Sequence, residues 1–308
     1  MTQNTVTYFL NDTDWSNTTI DWFDADWSVR RYARLTREDG KTAILLNSPP
    51  DDSPDAMVGH SIGEWSKVNA LFKSLELNVP TIIKQDLSIA LILMEDFGTD
   101  TIANKGVDAY LKAANVLVQM RDHPQALSSN NLIKYEDTHV YQALRFYPQY
   151  VSGGDVTEWF EAWNRVENSL PPSPRALTHI DFHPANLMWH NNEIGIIDFQ
   201  AACDGPFVYD IVNLLEDIRL DVAQDIKHAC RKHYCALLSP NDRAIFDQWY
   251  DVITAQFYAR ILGQIKYLAK EKGRDDLMKY YDAVSQRFDK IITNKTLTPI
   301  ARFIEKER

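Results

Sequence analysis

The sequence predicts an α+β fold of two lobes, a small β-rich N-terminal lobe with one helix followed by a larger, mainly helical C-terminal lobe. Three stretches predict it. "WSVRRYARLT" and "KTAILLN" are strand-like and flank an Asp-Gly turn, so residues 27–47 read as a hairpin. "LILMEDFG" is nearly all apolar at its start, as a strand covered on both faces would be. From about residue 106 the apolar spacing becomes three and four, the period of a helix.

Taken in order, the hairpin is followed by "SPPDDSPD", whose Pro, Asp and Ser content marks a loop. Ile62, Trp65, Val68, Leu71, Phe72 and Leu75 then recur at helical spacing. "VPTIIKQD" and "IALILMEDFG" follow as two strands, giving β-β-α-β-β and a lobe junction near residues 94–98. Beyond it, "VDAYLKAANVLVQMRDH", "DVTEWFEAWNRVENSL", "YDIVNLLEDIRLDVAQDIKHACRKHYCALL", "IFDQWYDVITAQFYARILGQIKYLAKEK" and "DLMKYYDAVSQRFDKII" read as helices. One interruption stands out, where "ANLMWH" and "EIGIIDF" alternate around "NNE" as a short hairpin. The aromatic positions Trp159, Phe160, Trp163, Trp249, Phe257 and Tyr258 fall at helical spacing and read as core.

Bulk properties exclude several function classes. With 308 residues and a formal charge of -11, the chain can bury a core but lacks the basic patch of a nucleic-acid binder. Cys203, Cys230 and Cys235 are too few and too unevenly placed for a disulfide framework, which points to a reducing cytoplasm. No basic-then-apolar leader and no run of about 18 apolar residues occurs, so neither export nor membrane insertion is expected.

The chemistry concentrates in "LTHIDFHPANLMWHNNEIGIIDFQ". Asp181 with Asn186 five residues on, then Asp198 across a hairpin, offers one carboxylate for a hydroxyl and an amide and carboxylate for a hard cation. Mg²⁺ favours few protein oxygens and leaves its other positions to phosphates and water, which is the demand of phosphoryl transfer. His179, Asp181 and His183 could instead supply two imidazoles and a carboxylate to iron or zinc. That second reading leaves Asn186 and Asp198 unexplained.

"HIDFHPANLM" followed by "IGIIDFQ" resembles the catalytic-loop and metal-Asp motifs of the aminoglycoside phosphotransferase and choline kinase superfamily. The resemblance implies a protein-kinase-like two-lobed fold, with a nucleotide-binding lobe over residues 1–97 and a catalytic, substrate-binding lobe over residues 98–308. It implies Asp181 as the catalytic residue, Asn186 and Asp198 as Mg²⁺ ligands, ATP as phosphoryl donor and His179 as a structural residue of the loop. "ADWSVRRYARL" sits where the family's nucleotide-covering hairpin lies, and Glu95, Asp96 and Phe97 sit where the interlobe hinge meets adenine. "DFQAACDGPFVYDIVNLLEDIR" and "RILGQIKYLAKEKGRDDLMKYY" are most similar to bacterial anomeric kinases of N-acetylmuramate and N-acetylglucosamine in cell-wall recycling. The implied partner is a small hydroxyl compound, an amino sugar. "GPFVYD" follows Asp198 almost at once and leaves no long activation segment, which argues against a protein substrate.

One departure matters. The family's third-strand Lys is missing, since "KTAILLNSPP" offers Leu46 and Asn47 there and Lys41 lies at the other end. Arg30 and Arg31 are the replacement cations for the nucleotide phosphates; strand alternation points only one inward, and Arg31 is favoured. Glu64 is a candidate acid for that cation. The missing Lys also keeps open a catalytically silent nucleotide-binding module. Asp210 reads as a helix cap that braces the catalytic loop.

Overall fold

A computed structural model describes residues 3–23, 30–48, 61–127 and 132–307. The loop read at 48–55 and the start of the nucleotide-covering hairpin at 25–29 fall largely outside them. In chain order, the first elements are α1 (Gln3–Leu10), β1 (Thr19–Trp22), β2 (Arg31–Thr36), β3 (Thr42–Asn47), α2 (Ile62–Ser74), β4 (Ile82–Asp86) and β5 (Leu91–Glu95). Next come α3 (Val107–Asp122), α4 (His139–Gln142), α5 (Val156–Glu167), β6 (Arg175–Thr178), β7 (Leu187–His190), β8 (Glu193–Ile196) and β9 (Cys203–Pro206). The chain closes with α6 (Tyr209–Leu215), α7 (Gln224–Ala236), α8 (Pro240–Lys272), α9 (Tyr281–Ile291) and α10 (Thr298–Glu307). They form two compact units, 1–102 with 185–202, and 103–184 with 203–308. Among the described residues no helix is long and apolar enough to cross a membrane.

The first unit is built on an antiparallel sheet ordered β1-β2-β3-β5-β4. Alternation sorts its side chains. Ala33, Leu35, Ala43, Leu45, Leu91 and Leu93 turn to one face and are buried under Val6, Phe9, Leu10 and Trp15. Leu91 to Met94 are all buried, as the apolar run predicts. The predicted stripe of α2 is buried throughout, and Ser61 caps that helix by accepting from the Glu64 N–H. Trp65 and Phe72 pack on Phe199, with ring centroids 5.1 and 5.3 Å away. The hairpin β7–β8 turns at Asn191 and Asn192, both left-handed (φ 51° and 63°), the geometry a two-residue turn requires.

One expectation for this unit is corrected. The order is α-β-β-β-α-β-β, because α1 and β1 precede the hairpin. Eight and four residues are too short to carry a periodic signal, and α1 is held by Val6, Phe9 and Leu10 packing on the sheet rather than by its own propensity.

In the second unit α3 packs on α7 and β6, and α8 on α6 and α9. Trp159, Trp163, Trp249, Phe257 and Tyr258 are buried, whereas Phe160 is only half-buried. α8 runs so close to the chain at Phe146–Tyr147 that a Cβ on Gly263 would lie 2.5 Å from backbone atoms. The run read as one helix over 209–238 is broken into α6 and α7. Asp217 accepts from the Arg219 N–H (2.7 Å) and Asp221 takes a left-handed backbone (φ 43°), so local side-chain bonding replaces the helical ladder there. The ladder of β6 with β9 was not legible from periodicity.

Candidate active site

In the first unit a cavity of about 550 Å³ is lined by Arg30, Arg31, Tyr32, Arg34, Ile44, Trp65, Met94, Glu95, Asp96, Phe97, Asn186, Met188, Ile197 and Asp198, among others. The nucleotide and metal residues expected from the sequence are therefore brought to one cavity. Its apolar walls come from Ile44, Met94, Met188 and Ile197, and its volume lies in the range of small-molecule sites.

Arg30 is the buried cation of this cavity, whereas Arg31, also at its edge, is exposed. Arg31 shares a strand face with Ala33 and Leu35, the face covered by α1, and at the sheet end its guanidinium stacks on Trp22 at 4.5 Å. Arg30 lies on the Tyr32 and Arg34 side; its side chain is 6% exposed and its Nη2 is 3.0 Å from Asp198 Oδ1. Burial and the contact with Asp198 favour Arg30 over Arg31 for the phosphates, and Glu64 pairs with no cation among the described residues. Ile44 lines the cavity on β3, while Leu46 lies opposite Tyr32, so β3 itself carries no cation.

Asp198 has a left-handed backbone (φ 60°) and a side chain 31% exposed. Gln200 Nε2 donates to the same Oδ1 (3.2 Å), so Oδ2 keeps its lone pairs for a hard cation. Gln200 itself is buried with Oε1 unpartnered. Asn186 lines the cavity and its carbonyl accepts from the Ile197 N–H (3.1 Å), holding the two ends of the β7–β8 hairpin together. One carboxylate and one amide beside a cation suit Mg²⁺ with phosphates rather than an all-protein cage.

The hinge residues divide their work. Glu95 is tied to Thr81 through its N–H (2.9 Å) and its Oε2 (3.1 Å). Asp96 takes Arg34 in a fork (2.6 and 3.2 Å) and the Gly98 N–H (2.8 Å), so its carboxylate is structural. Phe97 stacks on His190 at 4.7 Å, and no described hydrogen bond takes its N–H, which leaves a backbone donor at the cavity wall. Sequence reasoning missed Gln200, Arg34 and His190. Gln200 stood in the quoted motif, but a single amide carries no periodic or charge signal.

Asp181 belongs to the second unit, on the loop between β6 and β7. The loop is strained at Ile180 (φ 77°), an unfavourable conformation for a β-branched residue. Asp210 and Asn213 of α6 hold it: Asp210 accepts from the N–H groups of His179 (2.6 Å) and Ile180 (3.0 Å), and Asn213 donates to the Ile180 carbonyl (2.8 Å). Burial, opposed by those two N–H groups, pushes the Asp210 carboxyl up to about 7. His179 Nδ1 accepts the Asp181 N–H (3.2 Å). His183 Nε2 is 3.5 Å from Asp181 Oδ1, and its Nδ1 is 3.9 Å from Asp217. Burial favours the neutral acid at Asp181, but the hydrogen bond and charge of His183, with His179 and Arg219 behind, hold it well below the usual carboxylate range. Among the described residues no three His, Cys, Asp or Glu side chains are grouped to hold a metal, which removes the His179–Asp181–His183 reading.

Several known proteins are similar to this chain. The N-acetylmuramate/N-acetylglucosamine kinase of Neisseria meningitidis serogroup B is 25% identical over 295 residues, covering 86% of this chain and 85% of that protein. The choline kinase of Cryptosporidium parvum Iowa II superposes with a TM-score of 0.67 at 9% identity, covering 98% and 99% of the two chains. An ADP-bound aminoglycoside phosphotransferase gives 0.62 at 14% identity, covering 94% and 99%. The fold is protein-kinase-like and the chain is a small-molecule kinase. Residues 20–251 match the phosphotransferase enzyme family, and the chain belongs to it.

Proposed function

We propose that this kinase transfers the γ-phosphoryl group of ATP to the anomeric hydroxyl of an amino sugar of the N-acetylmuramate or N-acetylglucosamine type. The observation that carries the nucleotide half is the cavity of the first unit, where an apolar slot, the Phe97 N–H, the Arg30 cation and the oxygens of Asn186 and Asp198 converge. The name of the Neisseria relative supports the sugar half. On this reading the slot takes the base and Arg30 takes the phosphates in place of a strand Lys. Mg²⁺, held by Asn186 and Asp198, would supply neutralisation of charge on the β- and γ-phosphates. Asp181 accepts the hydrogen bond of the sugar hydroxyl and aligns its oxygen for attack. A carboxylate so weakly basic is a poor proton abstractor, so its contribution is orientation and electrostatics. The work is done in the cytoplasm.

A panel of N-acetylmuramate, N-acetylglucosamine, choline and aminoglycosides with ATP and Mg²⁺, read by ADP release, tests the acceptor. The two amino sugars are expected to be turned over, and their 1-O-methyl glycosides are not. Turnover of the blocked glycosides would overturn the anomeric assignment, and turnover of choline or aminoglycosides alone would overturn the sugar. Nucleotide binding without ADP release for any acceptor would favour a silent module.

A further inference from the structure

The second unit contains a cavity of about 800 Å³ bordered by α7, α8 and α9, and none of its lining residues is on the 179–183 loop. Tyr250, Thr254 and Tyr258 stand four residues apart and so share one face of α8. Both tyrosine hydroxyls donate to Glu216 (2.8 and 2.6 Å), and the buried Lys227 ammonium meets the same carboxylate at 2.7 Å. These bonds make a fixed polar floor.

Between the two tyrosines Thr254 is 4% exposed, and its hydroxyl has no hydrogen-bond partner. A helical Thr commonly bonds back to its own helix; this one does not. Arg287, from α9, binds Asp221 through Nη2 (2.6 Å) and also bonds the Tyr258 side chain, bracing the same floor. A buried hydroxyl left unused calls for a partner.

Charge identifies the partner. Lys227, Arg231, Lys232, Arg287 and Lys290 line the cavity against the carboxylates Glu216, Asp247 and Asp251, a local excess of cations in a chain of net charge -11. Arg231 is engaged with Asp247 (2.8 Å) and stacked on Tyr250 (3.9 Å). Lys232 and Lys290 are exposed and pair with no carboxylate among the described residues. A phosphomonoester carries about -1.5 to -2 charges at neutral pH and three acceptor oxygens pointing in different directions. Donors on three helices suit that headgroup, and the volume leaves room for the small molecule bearing it. We propose that this cleft is a second ligand site, separate from the nucleotide cavity, for a phosphorylated small metabolite.

Titration calorimetry of the full chain in chloride buffer tests it, with glucose 6-phosphate, inorganic phosphate and citrate as probes. Wild type is expected to bind one glucose 6-phosphate per chain, more tightly than inorganic phosphate or citrate. The Lys232→Ala/Lys290→Ala double variant weakens binding at least about tenfold and Thr254→Val about threefold or more, in line with charge-assisted and neutral hydrogen bonds. Arg30→Ala leaves binding intact, and the unliganded melting midpoints of the cleft variants match wild type. No binding by wild type, equal affinity in the double variant, loss on Arg30→Ala instead, or citrate binding as tightly as the sugar phosphate would each overturn the proposal.

Discussion

Replacing Arg30 with Ala removes the buried cation and leaves Arg31 in place. The guanidinium is almost fully buried at the cavity wall, so its hydrogen bonds to a phosphate would be little screened by solvent. A hydrogen bond to a charged group contributes about 1.5–3 kcal/mol net, and roughly 1.4 kcal/mol is a factor of ten, so the ATP KM should rise about 10- to 150-fold. Arg30→Ala also takes a positive charge off Asp198 Oδ1, so the carboxylate would attract a cation held at Oδ2 more strongly. The Mg²⁺ concentration for half-maximal rate should therefore stay level or fall. Arg31→Ala removes a guanidinium stacked on Trp22, worth about 0.5–1 kcal/mol of stability at an exposed site, and should leave the ATP KM within about twofold. Steady-state kinetics over ATP and Mg²⁺, with melting curves for both variants, measures all of this. Equal KM effects from the two variants, or an Arg30→Ala KM within about twofold of wild type, would refute the assignment.

Asp181→Asn should lower kcat by about 10²-fold through lost alignment of the acceptor hydroxyl and leave Mg²⁺–ATP affinity unchanged by calorimetry. Asp198→Ala should instead weaken metal-dependent nucleotide binding as well as rate, and the two variants should separate in a titration with a non-hydrolysable ATP analogue. Asp210 has a folded pKa of about 7 against an ordinary value of 3.8, so its contribution to stability is fully present below about pH 4 and lost as pH rises through about 7. Denaturant unfolding across pH 4–7 should show wild-type stability falling relative to Asp210→Asn by up to about 1.4 kcal/mol per pH unit, and parallel curves would count against the buried carboxyl. Gly195→Ala places a Cβ 2.6 Å from the Phe97 ring, so it should cost about 1–3 kcal/mol of stability and raise the ATP KM through displacement of the hinge ring; an unchanged melting curve and KM would show that the ring yields freely.

Much of the fold and site was legible because it is written in local patterns. The Asp-Gly turn, the apolar run of β5, the stripe of α2 and the Asn191–Asn192 turn each follow from backbone preference and burial within a few residues. The spacing of Asp181, Asn186 and Asp198 was readable for the same reason, since a loop and a short hairpin set it. Tertiary structure decided the rest. Alternation says that Arg30 and Arg31 face opposite sides, but which side is the cavity depends on α1 covering the Ala33 and Leu35 face, and α1 is too short to announce itself. That Asp96 is used up by Arg34, 62 residues away, and that Asp210 takes two N–H groups some 30 residues back, are pairings between distant points of the chain. Burial and pairing of charge depend on which segments meet, and one residue's chemistry does not contain that information.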